Sequence, residues 1–511
     1  MQRKSSRFLI ITTALALSAC GSSTTSTASG GSDASIDSGP VGVQDTGIAA
    51  PTQFTCTSAS KNAAGFSWQA SPTPGVVGYV VERATLSGEF EAQPGVGGKT
   101  LTFADLTVTQ FETYRYRVRA KVADKLGDSS NEVTVGAPAP GFHTAVGPGA
   151  LATDVDLALD GNGDPAIVYV ASDTPPAAVV FSNWNRKTAA WNAPVKITSD
   201  FLPNTSGGSP VAAIAFDHAG SSGTFAVVWA SADGQQLDWA LSSDAGKTWQ
   251  QETIAVSPAG TSYAQPAIAL GNSKAHVTWL QDGVRLFYAT GTLSTPAKNW
   301  TADKEAPPAA TADKLLPFAP SIALDAAQAP AIAYFSHGKD ESVIATFWRP
   351  DEKNARTIQS SGGYADPSPS LSLAFKGQAP RAAVTLHQSP TTNAAVWFVT
   401  SSDGNSWGTP LALPVDGAAS GQKFTRLVTS SKDVSAITYD DPKIGGSGGK
   451  CGNPKLALTT DGVAWTTCSP DTAHSRADLA ASSRIALGND GKRWLAWQNL
   501  DDKSVVVWRE P

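Results

Sequence analysis

An all-β chain is the expectation, and three observations carry it. Gly 46 and Pro 33 among 511 residues, with abundant Ser, Thr and Ala, cut the chain into short pieces. Within those pieces apolar and polar residues alternate, as in "GFSWQAS" and "TYRYRVRAKV". No long stretch repeats apolar side chains at helical spacing. With 41% hydrophobic and 16% charged residues the chain can bury more than one core, so two or more folded units are expected.

Taken in order, residues 1–19 carry Arg3, Lys4 and Arg7 and then an apolar run from Phe8 to Leu17, too short to span a bilayer and suited to a signal peptide. The run ends in Leu17-Ser18-Ala19-Cys20, which resembles the lipobox of bacterial lipoproteins. The resemblance implies cleavage before Cys20, acylation of that cysteine, and, with Gly21 following it, sorting to an outer membrane. Removing three cationic residues leaves 35 Lys and Arg against 44 Asp and Glu, a change from −6 to −9, so nothing draws the mature chain to nucleic acid. The expected partners are the membrane, through the lipid, and a glycan or surface protein, with the chain a monomer.

Residues 20–50 are rich in Ser, Thr and Gly with almost no large apolar side chains, and so form a disordered tether. Its coil length is roughly 30 Å from the square-root law for flexible chains.

Residues 51–138 give short alternating strands that resemble a fibronectin type III domain. Trp68 falls at that family's strand-B tryptophan, Tyr79 at its strand-C tyrosine, and Tyr114-x-Tyr116-x-Val118-x-Ala120 at its strand F, with Tyr114 as the corner tyrosine. Val108 stands where the family carries a leucine, with Leu106 two positions earlier, which predicts an irregular corner. The domain reads as a spacer, and Cys56 as a small buried strand residue.

Residues 141–511 contain an internal repeat. Seven segments pair an apolar strand, a Gly or Asp turn and a second strand, ending at Tyr169, Trp229, Trp279, Tyr334, Leu386, Tyr439 and Trp497, spaced by 60, 50, 55, 52, 53 and 58 residues. Third and fourth strands follow in most copies. This predicts a β-propeller of four-stranded blades, seven in number with six as the alternative, in which the lone strand "GFHTAV" closes the last blade and removes a sheet edge. Cys451 and Cys468 flank one hairpin of this repeat and, in an exported chain, are expected to form a disulfide.

The stretch "SSDAGKTW" fits Ser-x-Asp-x-Gly-x-Thr-Trp and resembles the Asp-box of sialidases and other bacterial propellers. It comprises Ser242, Asp244, Gly246 and Trp249, with shortened forms at Asp403 with Trp407 and at Asp461 with Trp465. The resemblance implies a structural turn remote from any catalytic face. Strand parity puts these turns, and "DGNGD" after the first strand, on one rim. Asp160, Asn162 and Asp164 place oxygens at calcium-loop spacing, but the twelfth position is Ala171, and a tight hairpin explains the same residues. No cofactor is expected.

The opposite face carries the candidate ligand residues Tyr263, Phe318, His337, Tyr364, His387, Arg426, Asp440, Asp441, His474 and Arg476, aromatic platforms with polar groups suited to a sugar or a peptide. A retaining sialidase needs three arginines on a carboxylate, a Tyr–Glu pair and an acid/base aspartate. No Arg-Ile-Pro motif is present, and the sequence assembles no such set. The expectation is therefore a non-catalytic envelope binding or adhesion protein, with a sialidase-like glycoside hydrolase on the same face as the alternative.

Overall fold

The computed structural model describes residues 47–147, 152–171, 177–201, 212–217, 223–231, 233–293, 300–301, 303–309, 312–316, 318, 320–361, 370–386, 395–413, 423–430, 434–440, 454–468, 484–488, 490–498 and 504–511. Every regular element among them is a β-strand or β-bridge, in agreement with the composition. Residues 1–46, with Cys20, lie outside them.

The N-terminal module is a two-sheet sandwich. Thr52–Ala59, Ala64–Gln69 and Thr102–Asp105 form one sheet, and Val76–Thr85, Thr113–Val122, Lys125–Ser129 and Val133–Gly136 the body of the other. Alternate residues turn inward, so Phe54, Phe66, Trp68, Tyr79, Tyr114 and Tyr116 share one core. Trp68 meets Tyr79 edge-on with centroids 5.5 Å apart. The Tyr114 hydroxyl lies 2.9 Å from Thr109 Oγ1, five residues back, and Val108 packs on the core while Leu106 is 74% exposed. Val108 thus packs inward near this contact, and Leu106 does not. Cys56, a free thiol, is only partly buried on its strand.

Among the described residues seven further antiparallel sheets follow in chain order. Their first strands are Ala152–Leu159, Ala212–Phe216, Tyr263–Gly271, Ser321–Leu324, Ser370–Lys376, Lys423–Thr429 and Arg484–Leu487. Sheet four has an additional segment, Ala312–Leu315, on the same second strand, and sheet one has two short outer strands. The second strands are buried along most of their length, and Phe225–Ala230 ("FAVVWA") along all of it. Phe225–Ala230 accordingly reads as a continuous apolar run, since neighbours cover it on both faces.

Each sheet shares a hydrophobic core with the next, in the order one–two, two–three, three–four, four–five, five–six and six–seven. A seventh core joins sheet seven back to sheet one through Trp494, Val505, Val507, Val155, Leu157 and Tyr169. The first strands touch in the same circuit, including Ala152–Leu159 against Arg484–Leu487. Side chains reinforce it: Asp156 takes Arg484 Nε at 3.0 Å and accepts the Ile214 amide at 2.9 Å, linking three sheets. Gly141–Val146, which precedes sheet one, pairs with Val505–Arg509 as the outer strand of sheet seven, Gly141 opposite Arg509. The lone strand of the sequence is therefore used as expected.

The module is docked on sheets one and seven, a firmer arrangement than a spacer requires. Trp184 Nε1 donates to Gly136 O at 2.8 Å, Gly136 N to Arg186 O at 2.9 Å, and Gln110 Nε2 to Asn162 O at 2.7 Å. Arg509, 4% exposed, donates to Pro138 O at 2.7 Å and Phe111 O at 3.0 Å, faces Asp490 at 3.5 Å and stacks over the Phe111 ring. Gly163 sits at φ +81, and a Cβ there would lie 3.1 Å from Gln110 and Phe111.

Arg509→Ala leaves two buried carbonyls and the Asp490 carboxylate without their cation, and stability is expected to fall by about 3–5 kcal/mol. Chemical denaturation measures it. An unchanged midpoint would show that docking does not depend on this side chain.

Candidate functional site

The Asp-box turns fold as self-contained hydrogen-bond knots. Ser242 Oγ accepts the Gly246 amide at 2.8 Å and donates to Asp244 Oδ1 at 2.8 Å. Asp244 Oδ1 also accepts the amides of Thr248 at 2.9 Å and Lys247 at 3.1 Å, and Oδ2 takes the Thr248 hydroxyl at 2.7 Å. Burial would raise the Asp244 carboxyl, but the hydrogen bonds from Thr248, Ser242 and Lys247 outweigh it and hold it at about 2. Gly246 has φ +84, and a Cβ would fall 2.0 Å from the Phe181 ring.

The tryptophan of each box reaches across to the preceding sheet. Trp249 meets Phe181 edge-on at 5.0 Å, Trp407 meets Phe347 at 5.5 Å, and Trp465 meets Phe398 at 4.9 Å. Each phenylalanine belongs to the third strand of the sheet before, so the boxes work as staples between sheets. Asp403 accepts the Asn405 amide at 2.8 Å, and Asp461 those of Val463 and Ala464 at 2.8 Å.

"DGNGD" closes the first hairpin of sheet one. Asp160 Oδ1 accepts the amides of Asn162 at 2.8 Å and Asp164 at 2.9 Å. Asp164, 3% exposed, pairs with the equally buried Arg186 at 2.5 Å, and Arg186 Nη2 reaches Asn162 O at 3.1 Å. Burial pushes the Asp164 carboxyl up, against the opposing pull of Arg186. A guanidinium thus stands at the carboxylate that a bound cation would need. Among the described residues no three His, Cys, Asp or Glu side chains are grouped to hold a metal ion.

Between this hairpin, the end of the third strand of sheet one, the first Asp-box and the module edge at Ala59 lies a cleft of about 490 Å³. Such a volume falls within the roughly 300–1,000 Å³ of small-molecule sites. Asn183 and Asn185 enter it from Ala177–Asn185, on the strand face that carries Phe181. Asn192 joins them from beyond the turn. Their amides are chained: Asn183 Nδ2 to Ala245 O at 3.2 Å, Asn192 Nδ2 to Asn183 Oδ1 at 2.8 Å, Asn185 Nδ2 to Asn192 Oδ1 at 3.1 Å, and Lys187 N to Asn185 Oδ1 at 3.0 Å. Each amide nitrogen keeps a second hydrogen and each oxygen a second lone pair. In the same wall Asp164 Oδ1 is buried with no hydrogen-bond partner.

Sequence reading missed this cleft. The available signal was "FSNWN", two asparagines at i and i+2 in a strand, where asparagine is disfavoured unless it serves something.

The candidate residues of the other face come together less. Tyr263 is buried, 6% exposed, edge-on to Trp279 at the start of its strand. This corrects its placement as an exposed platform: the residue begins a strand whose alternation turns it inward. Phe318 packs edge-on against Phe335, His337 Nε2 lies 3.1 Å from Glu341, and Arg426 is half-buried on a first strand. Asp440 ends its strand, paired with Lys423. Tyr364, His387, Asp441, His474, Arg476 and Cys451 lie outside the described residues, and Cys468 is described only as the end of Thr466–Cys468.

No protein-family model matches the chain, and no curated protein does. Among solved structures it is similar to the BP39L lectin of Burkholderia pseudomallei, at 15% identity over 68% of this chain and 95% of that one, TM-score 0.44. A NanB sialidase variant from Streptococcus pneumoniae aligns at 12% identity over 91% and 93%, TM-score 0.39. An Fn3-like protein from Clostridium thermocellum aligns at 24% identity over 17% of this chain and 92% of that one, TM-score 0.16.

Asp244→Ala strips four hydrogen bonds from its turn and is expected to lower stability by about 1–3 kcal/mol. The Asp244 carboxyl is held below its ordinary value in the fold, so its contribution is present above the unfolded value and is lost as pH falls from about 4 to about 2. Denaturation of both proteins across that range reads the difference between them. A difference that stays constant through the window would contradict the assignment.

Proposed function

We propose that this chain is a non-catalytic saccharide-binding protein displayed on a membrane of the cell envelope. The observation that supports it is the rim cleft, lined by three chained asparagine amides with unused donors and acceptors. Vicinal hydroxyls of a sugar offer the matching donor and acceptor pairs. Amides already fixed by one another have little ordering left to lose when a ligand takes up their remaining capacity.

In this reading the seven sheets are blades of a β-propeller closed by Gly141–Val146, and the sandwich is a fibronectin type III-like module. The circuit of inter-sheet cores supports the first and the Tyr114 corner the second. The leader ending at Ala19, a lipid on Cys20, an outer-membrane location, a Cys451–Cys468 bond and a monomeric state complete the proposal. The net charge gives nucleic acid no purchase. Mass mapping of the membrane fraction without reduction is expected to show a diacylated or triacylated N-terminal Cys20 peptide and the bonded Cys451–Cys468 pair. An unmodified Cys20, or two free thiols, would overturn the corresponding part.

A glycan array followed by calorimetry tests the binding reading. Asn183→Ala and Asn185→Ala are expected to weaken binding about tenfold each, the size of one well-made hydrogen bond, in protein shown to be folded by its melting transition. His337→Ala and Arg426→Ala, on the opposite face, are expected to leave it intact. The reverse pattern would move the site to that face, and release of free sugar from a bound glycan would make the chain an enzyme.

A further inference from the structure

We infer that the rim cleft selects an acidic saccharide, and that Lys187 and Lys247 read its anionic group. The inference rests on the saccharide-binding reading and adds to it the class of ligand.

The cleft is lined by three cationic and two acidic side chains: Arg186, Lys187 and Lys247 against Asp160 and Asp164. The acids are committed elsewhere. Asp164 is paired with Arg186, and Asp160 Oδ1 holds two amides of its own turn. Lys187 and Lys247 are exposed, and no carboxylate of the described residues forms an ion pair with either. They approach from two different sheets, Lys187 from the turn after Ala177–Asn185 and Lys247 from the Asp-box of sheet two. Two unpaired ammonium groups at one opening, on a chain of net charge −6, make a local reversal of sign.

Charge alone would fit any anion, including a simple phosphate or sulfate. The rest of the wall narrows the class. The asparagine amides need partners able both to donate and to accept, and an ionised oxyanion has no hydrogen to give. A ring bearing hydroxyls beside one carboxylate or sulfate ester satisfies both features at once: hydroxyls to the amides, anion to the lysines. The Asp-box contributes through its fold as well, since the Asp244 and Gly246 contacts fix the turn that presents Lys247.

Calorimetry on the full-length protein with four probes tests it: a trisaccharide of uronic acids, the same trisaccharide with its carboxyls reduced to alcohols, a sulfated neutral trisaccharide, and inorganic sulfate. Either acidic trisaccharide is expected to bind at least about tenfold more tightly than the reduced one, the difference one charge-assisted hydrogen bond makes, and to weaken with added salt. Which of the two binds identifies the anion. The double variant K187Q/K247Q is expected to erase that difference while leaving the reduced trisaccharide's affinity unchanged. Equal affinity for acidic and reduced probes, insensitive to K187Q/K247Q, would overturn this inference and leave the saccharide-binding reading standing. Inorganic sulfate bound as tightly as the sugars would overturn it in favour of a plain anion site. If no trisaccharide bound a protein shown to be folded by its melting transition, both would fall.

Discussion

Two-sided burial is the constraint on which the rest of this structure depends. Each of the seven sheets meets a neighbour on both faces, and its second strand is buried along most of its length. Burying a Val, Leu or Phe side chain is worth roughly 1.5–3 kcal/mol, and a sheet with only one neighbour would leave half of its apolar side chains in water. The sheets are therefore mutually dependent, and the circuit has to close. The Asp-box tryptophans sharpen this dependence, because each adds an aromatic contact to the sheet before it and fixes the turn from which it springs. The box is thus a device for setting the relation between sheets, and its aspartate is a device for holding the box.

Closure also determines where the module must sit. The outer strand of sheet seven is Gly141–Val146, and the last strand of the sandwich ends at Gly136. Only four residues separate them, which at about 3.3–3.6 Å each span little more than one sheet-to-sheet spacing. The sandwich is consequently held against the rim at the junction of sheets seven and one, where Arg509, Trp184 and Arg186 meet its backbone carbonyls and amides. A module that composition suggests is a spacer becomes a wall of the cleft because the strand that follows it is conscripted into the last sheet.

The sequence carries the fold in its period-two alternation, the seven copies, six of them ending on an aromatic, and the turn residues between them, each a local property that survives without coordinates. The pairing of "GFHTAV" with "SVVVWREP" was legible because an unpaired first strand and a short last copy complement each other. The site was less legible, for a physical reason. Parity sorts turns to one rim or the other, but it does not say which side chains turn inward at a strand's first residue, and Tyr263 does. Nor does it reveal a cleft built from three segments far apart in the chain, such as those of Ala59, Asn183 and Lys247. The box tryptophans pack on the sheet before, and the rim the first box occupies also shapes a cavity.

Several buried charges in this chain are held by specific partners. Arg509 faces two carbonyls and a carboxylate, and Tyr116 donates to Asp105 at 2.9 Å while Arg83 pairs with the same carboxylate at 2.8 Å. Asp164 belongs with them, since its Oδ2 pairs with the buried Arg186 and fixes the rim hairpin. The chained asparagines differ, since they hold their amides rigid with hydrogen-bonding capacity left over. A surface prepared in this way, on sheets that cannot shift without breaking the circuit, meets a ligand with little ordering left to do, which is the condition under which a few polar contacts yield both affinity and selectivity.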